Sequence, residues 1–360
     1  DRIIRENADY IGGLADSLTG HNLYNGLATL MLLSTGEKKD LDVVRGIYNR
    51  KMAAFKGSDT GSHTWHNAYQ GIAVCEYYLQ TGDKSVMPLI NAICESARKY
   101  QVHGGWSHWA TGINPQYTGG GLMNPAGTNM LTALLLAKHC GAEVDDKTLR
   151  SALRYFYRFA GHGSNPYGDH RPEGGYGSNN GKSEMLAVAM HVASKADKGG
   201  EIYALARDKN AQTPLYSYPH MLRGHTGGGL GAVWHGIAAS HMIGKKPALY
   251  RNRMDECKWF YQMSRRHDGA FGICGGGRYD QIKYGYAMGL SLTAPRKTLC
   301  ITGAPRSKYA KPFVLPELPW GRKADRVFFE LEGSGKYVKS AEKPPVEFAR
   351  ISQAGEAELE

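Results

Sequence analysis

A glycine-rich loop carrying histidine, asparagine or further glycines recurs along this 360-residue chain, each time just ahead of a strongly apolar helical run. Its six occurrences are Gly20-His21-Asn22, Gly61-Ser62-His63, Gly119-Gly120-Gly121, Gly177-Ser178-Asn179, Gly224-His225-Thr226 and Gly275-Gly276-Gly277. They fall at irregular steps of about 40 to 60 residues, the scale of a repeat built from one supersecondary unit. Such a unit cannot bury its own apolar face, so neighbours must stack on it, and the loops are expected to gather in space.

Between the loops the helical runs come in two kinds. Asn129 to Cys140 is apolar almost all the way round, the pattern of a helix buried on every side. Asp146 to Ala160 instead puts Leu149, Leu153, Phe156 and Ala160 on one face, with Lys147, Arg150, Arg154 and Arg158 opposite. Inner runs are expected near 22–34, 64–82, 123–140, 180–195, 226–243 and 280–293, with amphipathic outer runs such as Leu41 to Phe55, Ser85 to Tyr100, Glu201 to Lys209 and Leu249 to Arg265. Two concentric rings of about six helices satisfy this alternation, so the expected fold is all-α, an (α/α)6 toroid or barrel of alternating inner and outer helices.

The net charge of +11 favours an acidic partner, a polyanionic polysaccharide, nucleic acid or a membrane surface, but the basic residues are dispersed without a nucleic-acid motif and read first as a solvated basic surface. No run approaches the roughly 20 apolar residues of a membrane span. A chain opening at Asp1 without a charged and apolar leader reads as a mature or trimmed form, with further domains in the native protein and a secreted or cell-envelope setting as the expectation. The six cysteines, Cys75, Cys94, Cys140, Cys257, Cys274 and Cys300, sit far apart in mostly apolar runs and read as buried free thiols.

A second signal sits between outer and inner runs: Gly104-Gly105-Trp106, Gly174-Gly175-Tyr176-Gly177 and Asp268-Gly269-Ala270-Phe271-Gly272. Glycine frees the backbone for a tight reversal, and the aromatic packs over the helix ends. This Gly-Gly-aromatic turn followed by a buried helix resembles the alpha/alpha toroids of the terpenoid cyclase and protein prenyltransferase superfamily, over residues 1 to about 305. Within that span, Gly224-His225-Thr226-Gly227, Arg265 to Phe271 and Thr293 to Leu299 look like a bacterial toroid family described only as a domain of unknown function. The resemblance implies the fold and stops short of a reaction. The Asp-x-Asp-Asp acid of squalene-type cyclases is absent, and Asp255-Glu256-Cys257, which mimics part of a prenyltransferase zinc site, lies on an outer run with no histidine beyond His267.

After Pro305 the chain changes character, so residues 1–305 are expected to form the toroid and 306–360 a Pro-rich extension. Val327, Phe329 and Leu331 alternate before Gly333-Ser334-Gly335, the pattern of a β-hairpin that braces the barrel or opens a further domain.

In a toroid the N-terminal ends of the inner helices gather at one mouth, where unsatisfied backbone N–H groups and helix dipoles favour anions. The catalytic candidates there are His66, Glu184, His225 and Tyr284. The substrate-binding candidates are Trp106, Tyr117, Asn67, Asn124, Asn180, Lys182, Arg223, Arg278 and Asp280. This inventory is rich in His, Tyr, Arg and Asn and thin in carboxylates. A His or Tyr base beside Lys or Arg suits proton abstraction next to the carboxylate of an acidic sugar, and Trp106, Trp109 and Tyr117 suit stacking on sugar rings. No pair of carboxylates marks a glycosidase. His63 and His66 lie one turn apart without a third ligand, so no metal and no cofactor is expected. His235 reads as a satisfied core histidine.

The expected function is therefore a carbohydrate-active enzyme, lyase or hydrolase, acting on an anionic polysaccharide at the toroid mouth. A non-catalytic binding or scaffold toroid and an isoprenoid cyclase-like enzyme are the alternatives.

Overall fold

The computed structural model describes residues 1–57, 60–109, 121–160, 165–168, 182–216, 229–272, 281–316 and 319. Among them the protein is all-helical: no strand forms, only isolated bridges such as Val102 with Gly105 and Arg265 with Phe271. The helices are α1 (Arg2–Gly13), α2 (Leu23–Ser34), α3 (Lys38–Ala54), α4 (Thr64–Thr81), α5 (Met87–Tyr100), α6 (Asn124–Cys140) and α7 (Asp146–Tyr157). They continue as α8 (Lys182–Ala193), α9 (Glu201–Asn210), α10 (Thr213–Tyr216), α11 (Gly229–Ser240), α12 (Pro247–Ser264) and α13 (Leu290–Thr293).

The two kinds of helix read from the sequence are realised. Every residue of α8 is buried, and nearly every residue of α2, α4 and α6. On α7 only one face is buried, and on α3 the buried positions Val44, Ile47, Tyr48 and Lys51 follow helical spacing. α2 packs on α4, α4 on α6, α6 on α8, α8 on α11 and α11 on α13, while α13 packs back on α2. The amphipathic helices flank this series: α3 lies on α2, α5 on α4, α7 on α6, α9 on α8 and α12 on α11.

The sixth inner run departs from expectation. Instead of one helix over 280–293, the described part is a 3-10 turn at Ile282–Gly285 and the four-residue α13. Gly285 and Gly289 lie within that run, and each lowers helix stability by about 1 kcal/mol relative to alanine.

Close backbone approach sets the spacing of the buried helices. A Cβ on Gly26 of α2 would lie 2.7 Å from the Tyr69 carbonyl oxygen of α4, and one on Gly71 of α4 would lie 2.8 Å from the Ala133 Cβ of α6. Of the Gly-Gly-aromatic turns, those at Gly104 and Gly269 have φ of +82° and +88°, and their aromatics, Trp106 and Phe271, are in the core. The turn at Gly174 lies outside the described residues.

α1 is fastened to α3 by charge. Arg5 places both terminal nitrogens on the buried Asp40 carboxylate, each at 2.7 Å, and Asp40 also accepts from the Thr35 hydroxyl at 2.6 Å. Asp40 and its hydrogen bond hold the guanidinium well above its ordinary pKa.

Residues 304–316 run as a strap across the C-terminal ends of the buried helices, where backbone carbonyls lack helical partners. The Ser307 hydroxyl donates to the Leu79 carbonyl of α4, and the Lys311 N–H donates to the His139 carbonyl of α6 at 2.7 Å. The Tyr203 hydroxyl of α9 donates to the Pro316 carbonyl at 3.0 Å. Thus 306–316 packs onto the helices; the hairpin expected at 326–339 lies outside the described residues. Cys75, Cys94, Cys140, Cys257 and Cys300 are free thiols, and Cys274 is outside the described residues. None of the described helices is long and apolar enough to cross a membrane.

Gly26→Ala should destabilise the protein by about 1–3 kcal/mol in urea denaturation, because the added methyl must displace backbone. An unchanged midpoint would mean that the α2–α4 spacing is not set by this contact.

Candidate functional site

The first two glycine loops meet at the N-terminal ends of α2 and α4. In the first, the Asn22 side chain caps α2 by accepting the Asn25 N–H at 2.9 Å, and the Asn25 amide donates to the Gly20 carbonyl at 3.0 Å. Gln70 of α4 donates to the Asn22 carbonyl at 2.7 Å and accepts from the Lys51 ammonium. Lys51 also donates to the Gly20 carbonyl at 3.3 Å. Burial pushes this lysine down to about 7, so near neutrality a large share of it is an uncharged amine.

His21 is held against α4 by Asn67, whose amide oxygen lies 2.7 Å from His21 Nε2. An amide oxygen only accepts, so Nε2 carries the proton and Nδ1 is left as an acceptor. Asn67 spends its amide nitrogen on the Gly61 carbonyl at 2.7 Å and the Ser96 hydroxyl at 2.9 Å. Its place is therefore that of a clamp for His21 and the second loop.

His63 and His66 stack face to face, with centroids 3.7 Å apart and planes 6° from parallel. In that geometry the nitrogen lone pairs of the two rings lie in parallel planes and do not converge on one ion. Among the described residues no group of three His, Cys, Asp or Glu side chains is arranged to hold a metal. Burial, with His63 and His21 adding to it, pushes His66 down to about 4; burial and Lys51 do the same to His21. Burial also lowers His63 and His108. The four imidazoles are neutral at pH 7.

A wall of this cluster comes from the segment between α5 and α6. The His108 carbonyl accepts the Thr64 N–H at 2.9 Å, and its Nδ1 accepts from Trp65 Nε1 at 3.0 Å. Trp109 is 50% exposed, with its ring 5.4 Å from His63 and 5.1 Å from His108. On the other side the Tyr24 hydroxyl donates to the Tyr284 hydroxyl at 3.0 Å, the rings meeting edge to face at 5.0 Å. The Lys283 ammonium lies 4.5 Å from the Tyr24 ring centroid.

The same segments stitch further helix starts together. The Trp106 carbonyl accepts the Met123 N–H at 2.8 Å, and Asn124 at the start of α6 donates to the Pro166 and Gly168 carbonyls at 2.9 and 3.0 Å. Asn165 in turn donates to the Lys182 carbonyl at 3.3 Å at the start of α8. Two expected ligand contacts thereby become scaffold. Asn124 has its remaining oxygen occupied by the Tyr155 hydroxyl at 2.9 Å, and Trp106 is 1% exposed with its indole N–H on the Ala97 carbonyl at 2.8 Å.

Lys182 and Glu184 are buried rather than presented at a surface. The Lys182 ammonium lies 5.3 Å from the Tyr167 ring centroid. Among the described residues neither Glu184 oxygen has a hydrogen-bond partner; His235 Nδ1 lies 3.7 Å from one of them, and His235 Nε2 lies 3.9 Å from the Cys257 thiol. The reading of His235 as a core histidine holds, but not as a satisfied one: among the described residues its buried Nδ1 has no hydrogen bond and faces a carboxylate. Trp234 of α11 reaches Tyr69 of α4, its indole donating to the phenol oxygen at 2.8 Å.

Asn67 and Tyr284 thus attach to one segment, through His21 and Tyr24, and His66 stacks on His63, while Glu184 and Lys182 sit apart on α8. His225, Tyr117, Asn180, Arg223, Arg278 and Asp280 lie outside the described residues. Sequence reasoning passed over Lys51, Gln70 and Tyr24. Lys51 did leave a signal, a lysine on the apolar stripe that carries Val44, Ile47 and Tyr48.

One family model matches the chain, over residues 1–303, and its description is a domain of unknown function, DUF6288. No curated protein and no solved structure matches.

The imidazoles give acid sensitivity a definite sign. A histidine whose folded pKa is depressed stabilises the fold fully above its unfolded value, and that contribution is lost as pH falls toward the folded one. For His21 and His66 the window runs from 6.5 down to about 4. Urea denaturation across this window should show stability falling with pH, and less steeply in a His21→Gln/His66→Gln double variant. Superimposable profiles would remove these residues from the acid response.

Proposed function

The chain belongs to the DUF6288 family, and from that premise we propose that its helix pairs close into an (α/α)6 toroid of the terpenoid cyclase-like kind whose rim cleaves an acidic polysaccharide by β-elimination. The observation that carries this reading is the half-exposed Trp109 beside a set of imidazoles held neutral, at the ends of α2 and α4. A sugar ring stacks on the indole face. A neutral imidazole, His66, takes the proton next to the sugar carboxylate. Lys283 offsets the charge that develops there, and the Tyr24–Tyr284 pair returns a proton to the departing oxygen. The products are an unsaturated sugar end and a new hydroxyl end, with no co-reactant consumed.

The order in which α2, α4, α6, α8, α11 and α13 pack on one another supports the toroid. A second reading, a binding toroid without catalysis, is favoured by the Trp234–Tyr69 contact, which fills the axis beneath the rim and keeps any ligand at the surface.

Incubation with a panel of uronic acid polymers, followed by the absorbance of unsaturated products, separates the two. The lyase reading expects product formation, reduced about 10²–10⁴-fold in His66→Gln. Trp109→Ala should raise KM more than it lowers kcat. Polymer binding without product favours the second reading, and neither binding nor product across the panel removes both.

A further inference from the structure

The solvent face of α7 carries a line of guanidinium groups that the site described above does not use. Arg150, Arg154 and Arg158 stand four residues apart, so they advance about 6 Å at each step and stay within roughly 80° of one another around the helix axis. Arg150 and Arg158 are exposed, and Arg154 is half-buried. We propose that this line is a second contact surface for a polymeric uronate, holding the stretch of polymer that runs outward from the rim. The identity of the polymer rests on the lyase reading; the contact itself needs no catalysis.

The positive charge on this face is not cancelled within the protein. Among the described residues none of the three arginines has an ion-pair partner, and the acids nearest in sequence are engaged elsewhere. Asp145 accepts the Thr148 N–H and hydroxyl, each at 2.7 Å, and Asp146 accepts from the Lys138 ammonium at 2.8 Å. From Asp145 to Arg158 the four basic residues, Lys147 and the three arginines, exceed these two acidic ones by two. Both acids lie at the helix start, so the charge accumulates toward its C-terminal end. There the Arg158 guanidinium lies 4.4 Å from the Tyr155 ring centroid and 4.9 Å from that of Phe159, contacts that hold it in place. A guanidinium presents a planar fork of donors, which suits a carboxylate. The other face of α7 buries Leu149, Leu153 and Phe156 in the core, so the helix has no apolar side to insert into a lipid surface.

The line leads to the rim. The Tyr155 hydroxyl donates to Asn124 at the start of α6 at 2.9 Å, and the turn at Gly104 packs so closely on α7 that a Cβ there would lie 2.8 Å from the Tyr155 Cβ. Trp109 follows five residues later, at most about 18 Å away along an extended chain. A uronate polymer stacked on Trp109 can thus run over the 104–106 turn and lay successive carboxylates along Arg158, Arg154 and Arg150.

Calorimetric titration of the full chain with polygalacturonate, alginate and hyaluronate, at low and at physiological salt, tests this. At least one polymer should bind, and Arg150→Gln/Arg154→Gln should weaken it by about tenfold, equivalent to 1.4 kcal/mol. The variant should also lose less affinity between the two salt concentrations, because charges that salt screens are gone. Arg150→Glu/Arg154→Glu should weaken the polymer further. Both positions face solvent, so the midpoints of urea denaturation should stay in place. Arginine-dependent binding without product keeps the surface and removes the lyase; product formation with binding unchanged in both variants keeps the lyase and removes the surface. Binding of none of the three polymers, or of duplex DNA in their place with the same dependence on the arginines, overturns the proposal.

Discussion

Backbone contact between the buried helices is the constraint on which the rest depends. Where α2 meets α4, no atom beyond the glycine α-carbon fits at Gly26, and where α4 meets α6 the same holds at Gly71. Helices held that close bury their whole circumference, as α8 does along its length. Along their lengths the backbone groups are paired within each helix, and the unsatisfied ones are confined to the two ends. The protein answers each end differently. At the starts, loop side chains such as Asn67, Asn124 and Asn165 reach from one helix to the next; at the finishes, the strap at 304–316 and the 298–302 turn lie across the exposed carbonyls.

The arrangement of ends explains what was legible in the sequence. All-round apolarity is a local signal, so the inner runs at 22–34, 64–82, 123–140 and 180–195 correspond to α2, α4, α6 and α8 within a few residues. The sixth run failed because Gly285 and Gly289 undercut the helix that its hydrophobicity suggested. Polar residues near the loops were harder. Asn67, Asn124 and Trp106 resemble ligand contacts in one dimension, yet their donors and acceptors are consumed by carbonyls and hydroxyls far along the chain. Nothing in the spacing of Asn124 points to Pro166 or Gly168. His66 and Tyr284 were legible as polar residues beside apolar runs, whereas the Glu184–His235 approach depends on how α8 and α11 are rotated.

Burial rather than ion pairing governs the polar chemistry at both ends. Lys51, His21, His66 and His139 are all held toward their uncharged forms, and burial is the leading cause for each. A basic chain thus presents, where its helices end, groups that accept protons instead of groups that have already taken them. The net charge of +11 is a sum over the whole chain, to which solvated faces such as that of α7 contribute, and is a different property from the electrostatics of the site.

The packing of α13 on α2 has a bearing on how the chain is made. Arg296 donates to the Thr35 carbonyl at 3.0 Å across a separation of 261 residues, and Thr298 donates to the Ser34 carbonyl at 2.8 Å across 264. The end of α2 is therefore completed by residues that leave the ribosome long after it. During synthesis α2, α4 and α6 can pair as they emerge, but α2 keeps an apolar flank uncovered until the segment near 290–300 arrives. Closing so distant a contact is slow, and through that interval the nascent protein carries the surface most prone to association with other chains.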